Sequence, residues 1–136
     1  MNCLFDTHVV SELAKQEPNP RVAEWLTKLN GENIYISVIT LGEIRKGIDS
    51  LADGRRQRQL TQWLERDLLT QFEGRILNVD GRIADLWGRL GAKAKRPLPA
   101  IDALIAATAL AHKLKLVTRN TRDFDYPGLA VINPWA

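Results

Sequence analysis

The chain has 136 residues, 45% of them hydrophobic and 26% charged, with a formal net charge of +3 at pH 7. That is the size of a single domain spanning 1–136 with enough apolar material for a core, and the balance argues against a disordered tail. The lone cysteine, Cys3, excludes an internal disulfide and suits a reducing compartment, while the mild positive charge favours an anionic partner such as nucleic acid.

The opening residues 1–6 carry no basic leader and are interrupted by Asp6, unlike a secretion signal. Residues 103–111, the longest uncharged apolar stretch, fall far short of the ~20 needed to cross a bilayer. A cytoplasmic protein without membrane contact is the expectation.

In chain order, Cys3-Leu4-Phe5 reads as a short apolar strand ending at Asp6, and 7–14 as a short helix. Pro18-Asn19-Pro20 breaks that helix and opens a second, along which Val22, Trp25, Leu26 and Leu29 keep helical spacing until Asn30-Gly31. Ile34-Tyr35-Ile36-Ser37 is a second buried strand, followed by a helix over 38–51. After Asp53-Gly54 the spacing predicts one long amphipathic helix over 55–72, with Leu60, Trp63, Leu64 and Leu68 on one face. A third strand follows over 75–79, then a helix marked by Ile83, Trp87, Leu90 and Ala94, then a basic, proline-broken connection over 93–99. Residues 100–113 form a helix apolar almost all round, hence buried. Leu116-Val117-Thr118 and Ala130-Val131-Ile132 are the last two strands.

Strands alternating with helices imply an α/β domain with a mostly parallel sheet of about five short strands covered on both faces. Ligands of such sheets bind outside the carboxyl ends of the strands. Asp6 and Thr118 stand at two such ends. Glu43 lies early in the helix after the second strand, Asp102 in the first turn of the apolar helix, and Asp123 in the loop after the fourth strand. All four carboxylates can therefore meet at one edge, provided the chain has climbed back to that edge before Asp102, through 93–99 or an oblique preceding helix. Meeting bare, they would repel and raise one another's pKa. A hard divalent cation, magnesium or manganese, removes that penalty and can activate a water and hold a phosphate oxygen. Each acid also has a plainer use. Asp6 can cap the next helix, Thr40 and Glu43 fit a capping box, Asp102 suits the helix dipole, and Asp123 suits a turn. Asp102 is the exception that needs compensation, because an unpaired carboxylate buried in an apolar helix costs several kcal/mol.

Four segments, in order, carry a family resemblance: Leu4-Phe5-Asp6-Thr7; Ile36-Ser37-Val38-Ile39-Thr40-Leu41-Gly42-Glu43-Ile44-Arg45-Lys46-Gly47; Pro99-Ala100-Ile101-Asp102-Ala103-Leu104-Ile105-Ala106-Ala107-Thr108-Ala109; and Leu116-Val117-Thr118-Arg119-Asn120-Thr121-Arg122-Asp123-Phe124. Over nearly its whole length the chain resembles PIN-domain proteins of the VapC-like toxin group. The resemblance implies a Rossmann-like three-layer sandwich and a magnesium- or manganese-dependent endoribonuclease cutting RNA with metal-activated water. Asp6, Glu43, Asp102 and Asp123 would be its ligands, Thr118 its hydroxyl beside the metal, Asn120 a supporting amide, and Thr7 a further support. It also implies a small cognate antitoxin that blocks the acidic pocket, and a homodimer or larger toxin–antitoxin assembly. His8 departs from the commoner Asn after Asp-Thr.

His8 and His112 are the only histidines, too few and too far apart for a zinc site. His112 reads as structural on the buried helix. Trp25, Trp63 and Trp87 read as core packing. Arg55, Arg56 and Arg58 suit a solvated helix face, whereas Arg119 and Arg122 share a loop with Asp123 and are candidates for holding an RNA backbone. The first helices can leave part of an apolar face as a groove for a partner helix. Two other functions compete with nuclease: a catalytically silent PIN-like module binding nucleic acid or a regulator, disfavoured by the full set of acids, and phosphoryl transfer on Asp6, disfavoured because His8 stands where such enzymes carry a second acid.

Overall fold

Short aliphatic runs build the sheet. In the computed structural model, which describes residues 1–136, the strands are β1 (Cys3–Phe5), β2 (Ile34–Ser37), β3 (Ile76–Leu77), β4 (Lys115–Val117) and β5 (Val131–Ile132). They pair in the order β3-β2-β1-β4-β5, and every pairing is parallel. Parallel sheets need cover on both faces. The helices that supply it are α1 (Thr7–Leu13), α2 (Pro20–Leu26), α3 (Val38–Asp49), α4 (Gly54–Gln62), α5 (Leu69–Gln71), α6 (Gly81–Lys93) and α7 (Ala100–Ala111).

The period of two along each strand sorts side chains between the faces. Cys3, Phe5 and Val117 join Val9, Val10, Ile36, Ile44, Ile48, Leu64, Leu68 and Phe72 in one core layer. Leu4 and Leu116 point the other way, into a layer with Ile105, Ala106, Ala109, Phe124 and Tyr126. The result is a three-layer sandwich with the sheet in the middle and β1 fully buried at its centre.

Short polar side chains fix where the helices begin. Asp6, Asn19, Ser37, Asp53 and Asp80 each accept a backbone N–H at an N-cap, and Pro20 occupies the first turn of α2. The cap of α3 is thus Ser37, not Thr40, so no capping box accounts for Glu43.

The long helix expected over 55–72 is interrupted by a π-helical turn, Trp63–Leu68, between α4 and α5. Leu60, Leu64, Leu68 and Phe72 recur every four residues and all pack into the same layer. On an α-helix that spacing drifts by about 40° per step. The wider π turn reverses the drift and keeps the row facing the sheet. The third strand is shorter than expected, because only Ile76 and Leu77 find partners, Ile36 and Ser37, at the sheet edge. Two side chains expected in the core lie outside it: His112 caps α7 and is exposed, and Trp87 is 40% exposed. Trp25 does pack inward, tilted against Phe5 at 6.2 Å.

Phe5→Ala is expected to cost about 3–5 kcal/mol, since it empties the buried centre of the first layer. Urea unfolding reads the change, and a loss below about 1 kcal/mol would contradict the placement of Phe5.

Candidate functional site

The chain lays down β1, β2 and β3 in one direction and then crosses to the other side of β1 for β4. The carboxyl ends of β1 and β4 therefore flank a topological switch point, where such sheets bind ligands. Asp6 and Thr118 occupy those two ends. Both extend the ladder by one bond: Asp6 N–H donates to the Val117 carbonyl at 2.9 Å, and Thr118 N–H to the Ile132 carbonyl at 2.9 Å. Across the crevice the Thr118 hydroxyl donates to Asp6 Oδ2 at 2.8 Å in a buried contact between residues 112 apart in sequence. The other oxygen, Oδ1, accepts Thr7 N–H at 2.8 Å, so Asp6 is both helix cap and site residue. Each carboxylate oxygen has spent one lone pair and keeps another for a ligand.

Glu43 reaches the same place from α3. The Thr7 hydroxyl approaches Glu43 Oε1 at 2.5 Å and the buried Thr40 Oγ1 at 3.3 Å. A hydroxyl carries one proton, which the short carboxylate contact takes, leaving Thr40 as donor in the longer contact. Asp123 sits in the 3-10 turn Thr121–Phe124 and is exposed. Asn120, just before that turn, supports Thr118 with its main-chain amide: Asn120 N–H donates to Thr118 Oγ1 at 3.1 Å, while the side chain is exposed.

Asp102 lies in the first turn of α7, half-buried. Ile83 in the first turn of α6 packs on Ala107 and Ala111 near the end of α7. The chain thus enters α6 beside the far end of α7, and α6 together with 94–99 brings it back to the start. Burial pushes the Asp102 carboxyl above the usual aspartate range, and the charges of Asp6, Asp123 and Glu43 push it further, with His8 pulling slightly down. Four acids from four separate stretches of chain therefore share one electrostatic environment.

No group of three or more His, Cys, Asp or Glu side chains is drawn together tightly enough to hold a metal by direct ligation alone. Bare carboxylates spread apart under their own repulsion. The donor set is all oxygen, which fits magnesium or manganese, and magnesium takes one or two carboxylates directly while keeping several waters. The residues present fit such an ion.

Arg122 is exposed beside Asp123. Arg119 has a structural contact instead, its guanidinium 5.4 Å over the Trp135 ring. Thr40, which from sequence fits a capping box with Glu43, is instead buried behind Thr7. Two further buried residues had no reading from sequence. Glu12 is buried and accepts Asn19 N–H at 3.0 Å and the Lys15 ammonium at 2.9 Å, which hold its carboxyl below the usual range. Tyr126 is buried with a hydroxyl that has no partner, and burial, then Asp102, push its phenol up. Nothing in residue spacing marks Tyr126, because it follows an irregular turn.

Comparison with known proteins bears on this geometry. The family described as PIN domain matches residues 3–128. The chain is 40% identical over 135 residues to Toxin FitB of Neisseria gonorrhoeae, covering 97% of each protein. It is 37% identical over 135 residues to VapC ribonuclease Y4jK of Sinorhizobium fredii, covering 97% of this chain and 96% of that one. The crystal structure of FitAcB from Neisseria gonorrhoeae superposes with a TM-score of 0.90 at 40% identity, over 98% of both chains.

The raised Asp102 carboxyl sets a pH dependence for the metal-free protein. Between the ordinary aspartate pKa and the raised folded value, the unfolded chain has released a proton that the folded chain keeps. Stability in chelator should therefore fall as pH rises through that window and level off above it. Asp102→Asn should flatten this slope and leave the protein more stable at neutral pH. Urea unfolding at stepped pH reads both, and an identical slope in the variant would contradict the shift.

Proposed function

The chain belongs to the PIN domain family, and from that premise we propose that Asp6, Glu43, Asp102 and Asp123 hold a divalent metal, magnesium or manganese, for hydrolysis of RNA phosphodiester bonds. The protein is a ribonuclease toxin of the VapC and FitB type, one half of a toxin–antitoxin system. Family members of this kind are typically metal-dependent. The observation that carries the metal reading is the convergence on Asp102, whose carboxyl is raised first by burial and then by the charges of three acids from the end of β1, the 3-10 turn and α3.

Each residue then has a definite task. Asp6 is fixed at both oxygens, by Thr118 and by Thr7 N–H, and presents its remaining lone pairs. Thr118 is a positioning residue, itself steadied by Asn120 N–H. Thr7 aims Glu43. Asp102 brings a carboxylate to the helix start, where partial positive charge favours the anionic form against the surrounding acids. Arg122 is free to meet a backbone phosphate, and Arg119 adds positive charge from its seat on Trp135. Bound among these acids, the ion supplies an activated water and neutralises charge developing on phosphate oxygens.

The antitoxin partner belongs with a groove that opens beside the acids. Ile44 and Ile48 of α3, Leu60 of α4 and Trp63 line it, and Thr7 and Glu43 form its end. An amphipathic segment laid there buries apolar surface and reaches the acids at once. A homodimer, and a single domain over 1–136, complete this reading, and the family match over 3–128 supports the latter. No helix is long and apolar enough to cross a membrane.

Asp6→Asn and Asp102→Asn should each keep the native circular dichroism spectrum and lose metal-dependent RNA cleavage by about 100-fold or more. Each should also relieve growth arrest when the chain is expressed without its antitoxin. Cleavage at the wild-type rate by either variant, after removal of all antitoxin, would overturn the ligand assignment.

A further inference from the structure

A cleft of about 700 Å³ lies on the face of the sheet away from the antitoxin groove, between α6 and the segment 125–127. Leu86, Leu90, Leu98 and Leu110 give it apolar walls, and Tyr126 and Pro127 close one side. Its rim carries Lys93, Lys95 and Arg96 against a single acid, Asp125. The ion pairs of the chain are Lys15–Glu12, Arg45–Glu65 and Arg89–Asp85, so these three cations are all unpaired.

The two segments that build the cleft are those that carry two of the acids. Arg96 and Leu98 lie on the connection leading into the first turn of α7, which holds Asp102. Asp125 and Tyr126 directly follow the turn that holds Asp123, and Tyr126 packs on Phe124 of that turn with ring centroids 6.5 Å apart. Tyr126 lines the cleft, and after burial the charges of Asp102, Arg96 and Asp123 act on its phenol, so the cleft lies within electrostatic reach of the acidic pocket.

We propose that this cleft seats a nucleotide of single-stranded RNA adjoining the phosphate to be cut, with Lys93, Lys95 and Arg96 on its backbone and the leucine walls and Tyr126 against its base. This rests on the ribonuclease reading above and adds where the strand runs and what selects its sequence. The volume suits a nucleoside, within the range of small-ligand sites. Cations with an apolar and aromatic floor are the combination that grips single strands, whereas an apolar helix without acids would leave the three cations without partners. Bases differ in size and edge, so the cleft sets a nucleotide preference next to the cleavage point.

The test compares Lys95→Glu/Arg96→Glu and the cleft-filling Leu98→Trp with Arg55→Glu/Arg58→Glu, a matched charge reversal on α4. For a short single-stranded ribo-oligonucleotide, both cleft variants should raise KM about tenfold over the control, with kcat within about twofold. The cut sites on a longer RNA should also change in the nucleotide beside them. The first variant alters only exposed side chains, so it decides the matter if Leu98→Trp fails to fold. In chelator, the same oligonucleotide should shift the amide resonances of 93–96, Leu98, Asp125 and Tyr126 in the wild type and not in the variants. Cleavage with unchanged KM and unchanged cut sites would overturn the assignment. So would variants that lose only dimerisation or antitoxin capture, which would give the cleft to a protein partner. A wild type that binds the oligonucleotide in the cleft yet cuts nothing with magnesium or manganese would refute the ribonuclease reading and leave the cleft assignment supported.

Discussion

A carboxylate held among other carboxylates is the costly feature around which this fold is organised. Asp102 enters the pocket on an otherwise apolar helix, with burial first and then Asp6, Asp123 and Glu43 raising its pKa. Hydrophobic burial elsewhere forces the approach: β1 and β4 pair in fixed register, and α7 packs its alanines against the sheet. On the proposed reading, a divalent ion would relieve the repulsion among these acids. The polar residues around the pocket aim Asp6 and Glu43. Thr118, Thr7 and the Asn120 main-chain amide all donate toward the pocket.

The pocket is also where the two proposed surfaces meet. Thr7 and Glu43 belong both to the acids and to the end of the apolar groove on one face of the sheet. Tyr126 and the approach to Asp102 join the acids to the basic cleft on the other face. On the proposed reading, a partner filling the first groove would contact Glu43 without occupying the second, so inhibition and substrate grip would be separable.

Much of the fold was legible because its signals are local. Strand runs such as Cys3-Leu4-Phe5, the Asp53-Gly54 break and the Pro20 start each carry their own physical warrant. Parallel strand topology then placed Asp6 and Thr118 at adjacent ends without any distance being known. The π turn at Trp63–Leu68 was not legible as such, although the four-residue leucine spacing contains its cause. Tyr126 and Glu12 were missed, and Thr40 was read as a capping residue, because each role depends on a contact between separate segments or on an irregular turn. His112 and Trp87 were misplaced because a helical position alone does not tell which face meets solvent.

The central claim is that these acids form one ion site. Thermal unfolding during a manganese titration at neutral pH tests it most directly, because an ion bound only by the folded state raises the midpoint with concentration. The wild-type midpoint should climb with manganese, and the Asp102→Asn midpoint should start higher and stay nearly level. A wild-type midpoint that does not move, or two proteins that climb in parallel, would contradict the account.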